Sequence, residues 1–176
     1  HVVSRLRHRE TGSAEFLYRM RRAYELLFAL AYVDGEMSRE AWSLVPTPVD
    51  VPAPNFAAHL TPRLTGPPEG SAVCVMLRAA LLPSLVLAKE IEEHSPVGAG
   101  LPFALFKVYR DEGGTEEDME YVLDLDRSHF DVEELDGREL IFADPMNATG
   151  GSLVTVMRYL ESRGIRPASV RFFNVI

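Results

Sequence analysis

Cysteine occurs once in the 176 residues, at Cys74, so no disulfide framework can hold this chain together. The thiol stands inside the apolar run Ala72-Val-Cys-Val-Met-Leu77, where it reads as buried and inert, and a reducing cytoplasmic setting fits. No apolar run approaches the ~20 residues of a membrane helix and no signal peptide is visible, so a soluble cytoplasmic protein is expected. No internal repeat or low-complexity tract is present, which leaves out solenoids. His94 and His129 are isolated, without a second histidine, cysteine or carboxylate at ligand spacing, and no protein metal site is expected. Positive charge is short as well: 18 Lys and Arg stand against 26 Asp and Glu, and a net charge of −8 repels nucleic acid and anionic membranes. Six of the arginines fall within residues 5–22, which suits a protein partner or a solvated helix.

What is present is enough apolar material, 47% of the residues, for one domain over residues 1–176 with a sizeable core. Its organising stretch is Leu140 to Val154. Leu140 to Ala143 is a short apolar run that suits a parallel strand covered on both faces, and Leu153, Val156, Met157 and Leu160 recur at helical spacing. Between them Thr149, Gly150, Gly151 and Ser152 are small enough to let several backbone N–H groups converge on one anion, helped by the positive end of the following helix. A solvated turn is the competing reading. Asp144 falls at the carboxyl end of the strand, where open α/β sheets place ligands, and a carboxylate there suits sugar hydroxyls or a metal. No lysine follows the glycines and there is no G-x-G-x-x-G, so neither a P-loop nor a dinucleotide fold is expected.

In chain order, a basic arm precedes a long helix over 13–32, with Ser13 as its cap, Glu15 in its first turn and Phe16, Met20, Tyr24, Leu27, Phe28 and Ala31 as its apolar face. Residues 46–68 hold seven of the twelve prolines, which forbids a helix; an edge strand over 43–51 able to pair with the sheet, then loop, is expected, with Trp42 packed there. From residue 71 the pattern predicts strand 71–77, helix 84–93, strand 102–108, strand 139–143, helix 152–163 closed by Gly164, and strand 169–175: a parallel α/β sheet flanked by helices. Arg78 directly follows a buried run, where a charge is costly unless it meets an anion. Arg110 ends another strand, and its fork could hold phosphate, although Asp111 and Glu112 adjoin it. Residues 111–139 carry 13 of the 26 acidic residues and read as a flap or a solvated hairpin.

Asp144-Pro-Met-Asn-Ala-Thr-Gly-Gly-Ser152 resembles the phosphoribosyl-pyrophosphate loop of the uracil phosphoribosyltransferases, usually DPMLATGGS, at eight of nine positions. Leu77-Arg-Ala-Ala80 is similar to that family's LRAG, with Ala80 in place of glycine, and Tyr109-Arg110-Asp111 is similar to its Tyr-Arg-acid pair. The Arg-rich arm and the Ala14-Glu-Phe16 helix start also match. The resemblance implies a phosphoribosyltransferase-like fold and a transferase of pyrimidine salvage that joins uracil to phosphoribosyl pyrophosphate, giving UMP and pyrophosphate. It implies binding of that substrate by Arg78, Arg110, Asp144, Pro145, Met146, Asn147, Ala148, Thr149, Gly150, Gly151 and Ser152, with Arg78, Arg110 and Asp144 in catalysis, Mg²⁺ carried with the substrate, and a homo-oligomer, dimer or higher. The family's later base-binding segment, with its Gly-Leu-Gly-Asp, is expected to be lacking here. Ala80, Asn147 and that lack leave an alternative, a non-catalytic phosphoribosyl-pyrophosphate-binding or oligomerising relative.

Overall fold

The computed structural model describes residues 1–32, 42–46, 58–62, 70–94, 100–110, 121–131 and 133–176, with backbone alone at 42–46 and 58–62. The most deeply buried strand, β3 (Ser71–Leu77), forms the middle of a five-stranded sheet. Its residues from Ser71 to Met76 are all buried, as a continuous run of small and branched apolar side chains requires when both faces are covered. β4 (Phe103–Arg110) lies parallel to it on one side and β6 (Glu139–Asp144) parallel on the other, and β7 (Ser169–Asn174) extends the sheet beyond β6. The fifth strand, β5 (Tyr121–His129), pairs antiparallel with β4, so the order is β5-β4-β3-β6-β7 and the sheet is mixed, not wholly parallel.

The helices flank this sheet. α2 (Ser13–Tyr32) packs on α3 (Leu81–His94) and β7, α3 covers β3 and β6, and α4 (Gly151–Ser162) reaches β4 and β5. α2 buries Met20, Ala23, Tyr24, Phe28 and Tyr32 at spacings of three and four. Phe16, expected on that face, is 38% exposed, and Ser13 is the first helical residue, with the Phe16 amide donating to the carbonyl of Gly12, where a Ser13 cap was expected. A short α1 (Val2–Leu6), not foreseen, is tied to α2 by the Arg5–Glu15 pair at 2.6 Å. Arg19, Arg21 and Arg22 pair with Glu15 or Glu25 along α2, the solvated-helix reading of that basic segment. α3 begins three residues before the expected Ser84 because Pro83 falls in its first turn, where a missing N–H loses no helical bond.

The proline-rich segment departs from expectation in another way. β1 (Trp42–Pro46) pairs antiparallel with β2 (Ala58–Pro62) in a separate two-stranded sheet instead of joining the main one. The packing expected of Trp42 and the remainder of 43–51 lie outside the described side chains and residues. The acid-rich segment is in part the hairpin alternative: 121–129 is strand, pairing antiparallel with β4 at the border of the sheet, with Leu123 half-buried and Leu125 exposed. Residues 111–120, the first part of the expected flap, lie outside the described residues.

The core gathers Tyr24, Phe28, Phe106, Phe142, Leu140, Ile141, Val156 and Leu160, each with relative exposure of 1% or less. Truncating one such aromatic, as in Phe142→Ala, costs roughly 3–5 kcal/mol. Cys74 is fully buried in β3, between Ala104 and Phe142 on the neighbouring strands. At the amino edge of the sheet Glu139 is 3% exposed and accepts from Arg171 Nε at 2.6 Å, Ser169 Oγ at 3.1 Å, Tyr32 Oη at 3.2 Å and Ser71 Oγ at 3.4 Å. The Arg171 guanidinium also lies over the Tyr32 ring and donates to the carbonyl of Ala31, which fastens α2 to β7.

Candidate functional site

Parallel pairing brings the carboxyl ends of β4, β3 and β6 to one edge, and each expected site residue is there. Arg110 ends β4, Arg78 follows β3 and Asp144 ends β6. The loop after Asp144 turns into α4 through Gly150, whose φ of 74° lies in the left-handed region that glycine adopts without penalty. α4 starts at Gly151 with no side-chain cap. The Gly151 amide leans on Thr149 Oγ1 at 3.4 Å, and the next amide with a helical acceptor is that of Val154, which bonds Gly150 at 3.0 Å. The intervening N–H groups belong to the first turn, where a helix supplies no acceptor of its own, and they carry its positive end.

Facing this turn is a cleft of about 240 Å³ lined by Val108, Tyr109 and Arg110 from β4, Tyr121 from β5, Asp144, and Met146 to Ser152. The structure therefore brings together Arg110, Asp144, Met146, Asn147, Ala148, Thr149, Gly150, Gly151 and Ser152. Pro145 belongs to the same loop, half-buried, without lining the cleft. Arg78 is on the same edge, between the other two strand ends, and does not line the cleft either. Its side chain is exposed, which corrects the expectation that burial forces it onto an anion. The Leu77–Arg78 peptide that carries it is cis.

Asp144 is half-buried. Its Oδ1 accepts from the Met146 amide at 3.0 Å, an Asx turn that starts the loop, and its pKa is nevertheless raised, because desolvation outweighs that bond. The loop is tied down from behind by the Asn147 amide, which donates to the carbonyl of Ile176 at 2.9 Å. Tyr24 of α2 is fully buried with its hydroxyl unpartnered, and burial, then the charge of Asp144, pushes its pKa far above the ordinary range. Among the described residues no three His, Cys, Asp or Glu side chains cluster as a metal cage. No helix among them is long and apolar enough to cross a membrane.

Val108, Tyr109 and Tyr121 are the lining residues absent from the expected set, and Tyr121 comes from a strand that was not expected. The partner of Tyr121 in the β4–β5 register is Arg110, which carries it to the glycine loop about 30 positions along the chain, and no local pattern announces such a contact. The Arg110 guanidinium lies 5.8 Å from the centre of its ring. Hydrogen bonding from Thr149, then Arg110, holds its phenol below the usual tyrosine range.

No protein-family model and no curated protein sequence matches the chain. Solved structures do. The AQ2163 protein from Aquifex aeolicus superposes with a TM-score of 0.62 at 20% identity, over 99% of this chain and 70% of its own. A hypothetical protein from Neisseria gonorrhoeae with bound ppGpp gives 0.50 at 9% identity, over 90% and 78%. Hypoxanthine-guanine phosphoribosyl transferase from L. donovani gives 0.49 at 13% identity, over 90% and 71%. At these identities the first two likenesses establish a shared α/β fold, the one expected from the order of strands and helices.

Proposed function

We propose that the chain is a phosphoribosyltransferase-type domain that binds phosphoribosyl pyrophosphate at the carboxyl edge of its sheet and transfers the phosphoribosyl group to a base, uracil by the resemblance of the 144–152 loop. One observation carries the reading: a glycine turn at an uncapped helix start and the half-buried Asp144 carboxylate converge with Arg110 on one cleft. The 5′-phosphate would rest on Thr149 to Ser152, where charge-assisted bonds to N–H groups contribute about 1.5–3 kcal/mol each. Asp144 would accept from the ribose hydroxyls with the oxygen that the Met146 amide leaves open.

In the transfer, the ring nitrogen of uracil forms a bond to the anomeric carbon as the bond from that carbon to the pyrophosphate oxygen breaks. The electron pair leaves with pyrophosphate and the nitrogen's proton passes to solvent. This chain's task is positioning and stabilising the departing charge, with Arg78 and Arg110 over the pyrophosphate. Mg²⁺ fits as a ligand-borne ion, since among the described residues Asp144 is the one carboxylate lining the cleft, and when bound it would neutralise developing charge on pyrophosphate. The subunits would associate as a homo-oligomer, in the cytoplasm. Uracil-dependent release of pyrophosphate, measured with labelled uracil, tests the reading, and a protein that binds the sugar phosphate without turnover overturns the enzymatic half.

A second reading, a phosphoribosyl-pyrophosphate sensor or oligomerising relative, draws on the β3–α3 turn. Ala80 replaces the family's glycine and is 1% exposed, and the amides of Ala80 and Leu81 already donate inward to Met76 and Arg78. Two N–H groups of that turn are thereby withheld from a pyrophosphate. Asn147 in place of the family's leucine points the same way.

A further inference from the structure

The Tyr121 ring lies directly against the glycine turn. A Cβ built on Gly151 would overlap Cδ2 and Cε2 of that ring, so the tyrosine occupies the space that the missing side chain leaves. The residue is anchored there from its backbone, whose carbonyl accepts from Thr155 Oγ1 of α4 at 3.5 Å. The Arg110 guanidinium lies 5.8 Å from the centre of the ring, and Thr149 lines the same cleft. Gly151, Thr149 and Arg110 are also the groups a phosphate in this cleft would need. Two bodies cannot rest on the Gly151 backbone at once.

We propose that Tyr121 is a built-in competitor for the anion cradle: its ring, seated on Gly151 beside Arg110, must swing off the loop before a phosphate ester can seat. This rests on the reading of 149–152 as a phosphate site. The binding-competent arrangement is then a fraction of the population, and apparent affinity falls by that fraction for every ligand that seats a phosphate there. Tyr121 is a positioning residue, since it acts through the loop and the arginine and not on the reacting atoms.

Calorimetry of Tyr121→Ala with inorganic phosphate and with ribose 5-phosphate should show affinity raised about fivefold to tenfold, by the same factor for both, the effect of one or two lost competing contacts. Tyr121→Phe, which keeps the ring and loses the hydroxyl, should show a smaller rise and serves if the alanine variant does not fold. With 3-fluorotyrosine incorporated, the ¹⁹F resonance absent from Tyr121→Phe should move toward that of exposed tyrosine when ribose 5-phosphate is added. Equal or weaker binding by the variants, with a stationary resonance, overturns the inference and makes Tyr121 a wall or a ligand contact, while phosphate binding by the wild-type protein keeps the cradle. Absence of phosphate-ester binding in every form overturns the cradle and this inference together.

Discussion

The two edges of one sheet are built on opposite terms. At the amino edge the carboxylate of Glu139 is buried and collects hydrogen bonds from Arg171, Ser169, Tyr32 and Ser71. At the carboxyl edge Arg78 is exposed with no ion pair among the described residues, Asp144 holds one backbone amide, and α4 opens without a side-chain cap. The same residue types thus do different work according to which end of the strands they occupy. Satisfied charge at one edge fastens α2 to the sheet, and unsatisfied charge at the other is available to a ligand.

The largest test of that contrast is Glu139→Ala. It removes the acceptor of Arg171 and of the hydroxyls of Ser169, Tyr32 and Ser71, and since that arginine is 42% exposed the loss should be roughly 3 kcal/mol, the low end for breaking a buried pair. Urea unfolding followed by circular dichroism measures it. Arg78→Ala and Arg110→Ala should each change stability by less than about 0.5 kcal/mol, and a loss comparable to that of Glu139→Ala at either site would erase the distinction between the edges.

Next in size is Gly151→Val, which should weaken binding of phosphoribosyl pyrophosphate at least tenfold, on the order of 1.4 kcal/mol or more. The new side chain meets the Tyr121 ring first, so Gly151→Val in a Tyr121→Ala background separates the two obstacles. Full recovery of affinity there would mean that the glycine serves the tyrosine and not the ligand. Arg78→Lys should lower affinity for phosphoribosyl pyrophosphate about fivefold and leave ribose 5-phosphate unchanged, because the planar fork is lost outside the cleft proposed for the 5′-phosphate. Equal losses for both ligands would assign Arg78 to that cleft or to the fold.

The smallest effect concerns Asp144. Its folded pKa is raised, so the ionised form is less favourable in the folded chain than in the unfolded one, and that deficit is present above the raised pKa and relieved as pH falls through it. Asp144→Asn keeps an acceptor for the Met146 amide and removes the charge. A stability gain of about 0.5 kcal/mol at neutral pH is expected, shrinking toward acid, together with weaker sugar binding. A stability difference independent of pH between wild type and variant would show that desolvation of this carboxylate has no share in it.

Much of this was legible in the sequence, because the informative residues are consecutive. The strand, loop and helix of 140–162 follow from apolar periodicity and small residues in one run, and β3 with Arg78 from a single apolar run and its end. What escaped depends on residues far apart. β5 was obscured because thirteen acidic residues over 111–139 give that stretch the composition of a solvated loop. The β1–β2 pair links two proline-rich pieces whose partnership neither announces, and Tyr121 gains its place from the Arg110 register alone. The buried run before Arg78 misled, since it says nothing about where the next side chain points.

Cys74 turns the depth of β3 into a clock. It is the only thiol, it lies between two parallel strands with no exposed surface, and burial drives its pKa well above that of a reactive cysteine. Fraying at either sheet border, or the opening of any loop, leaves it covered. A thiol reagent can therefore reach it only when the centre of the sheet comes apart, and at high reagent concentration the labelling rate should level off at the frequency of that event. The chain carries its own timer of sheet opening, one that loop and cleft substitutions should leave running at an unchanged pace.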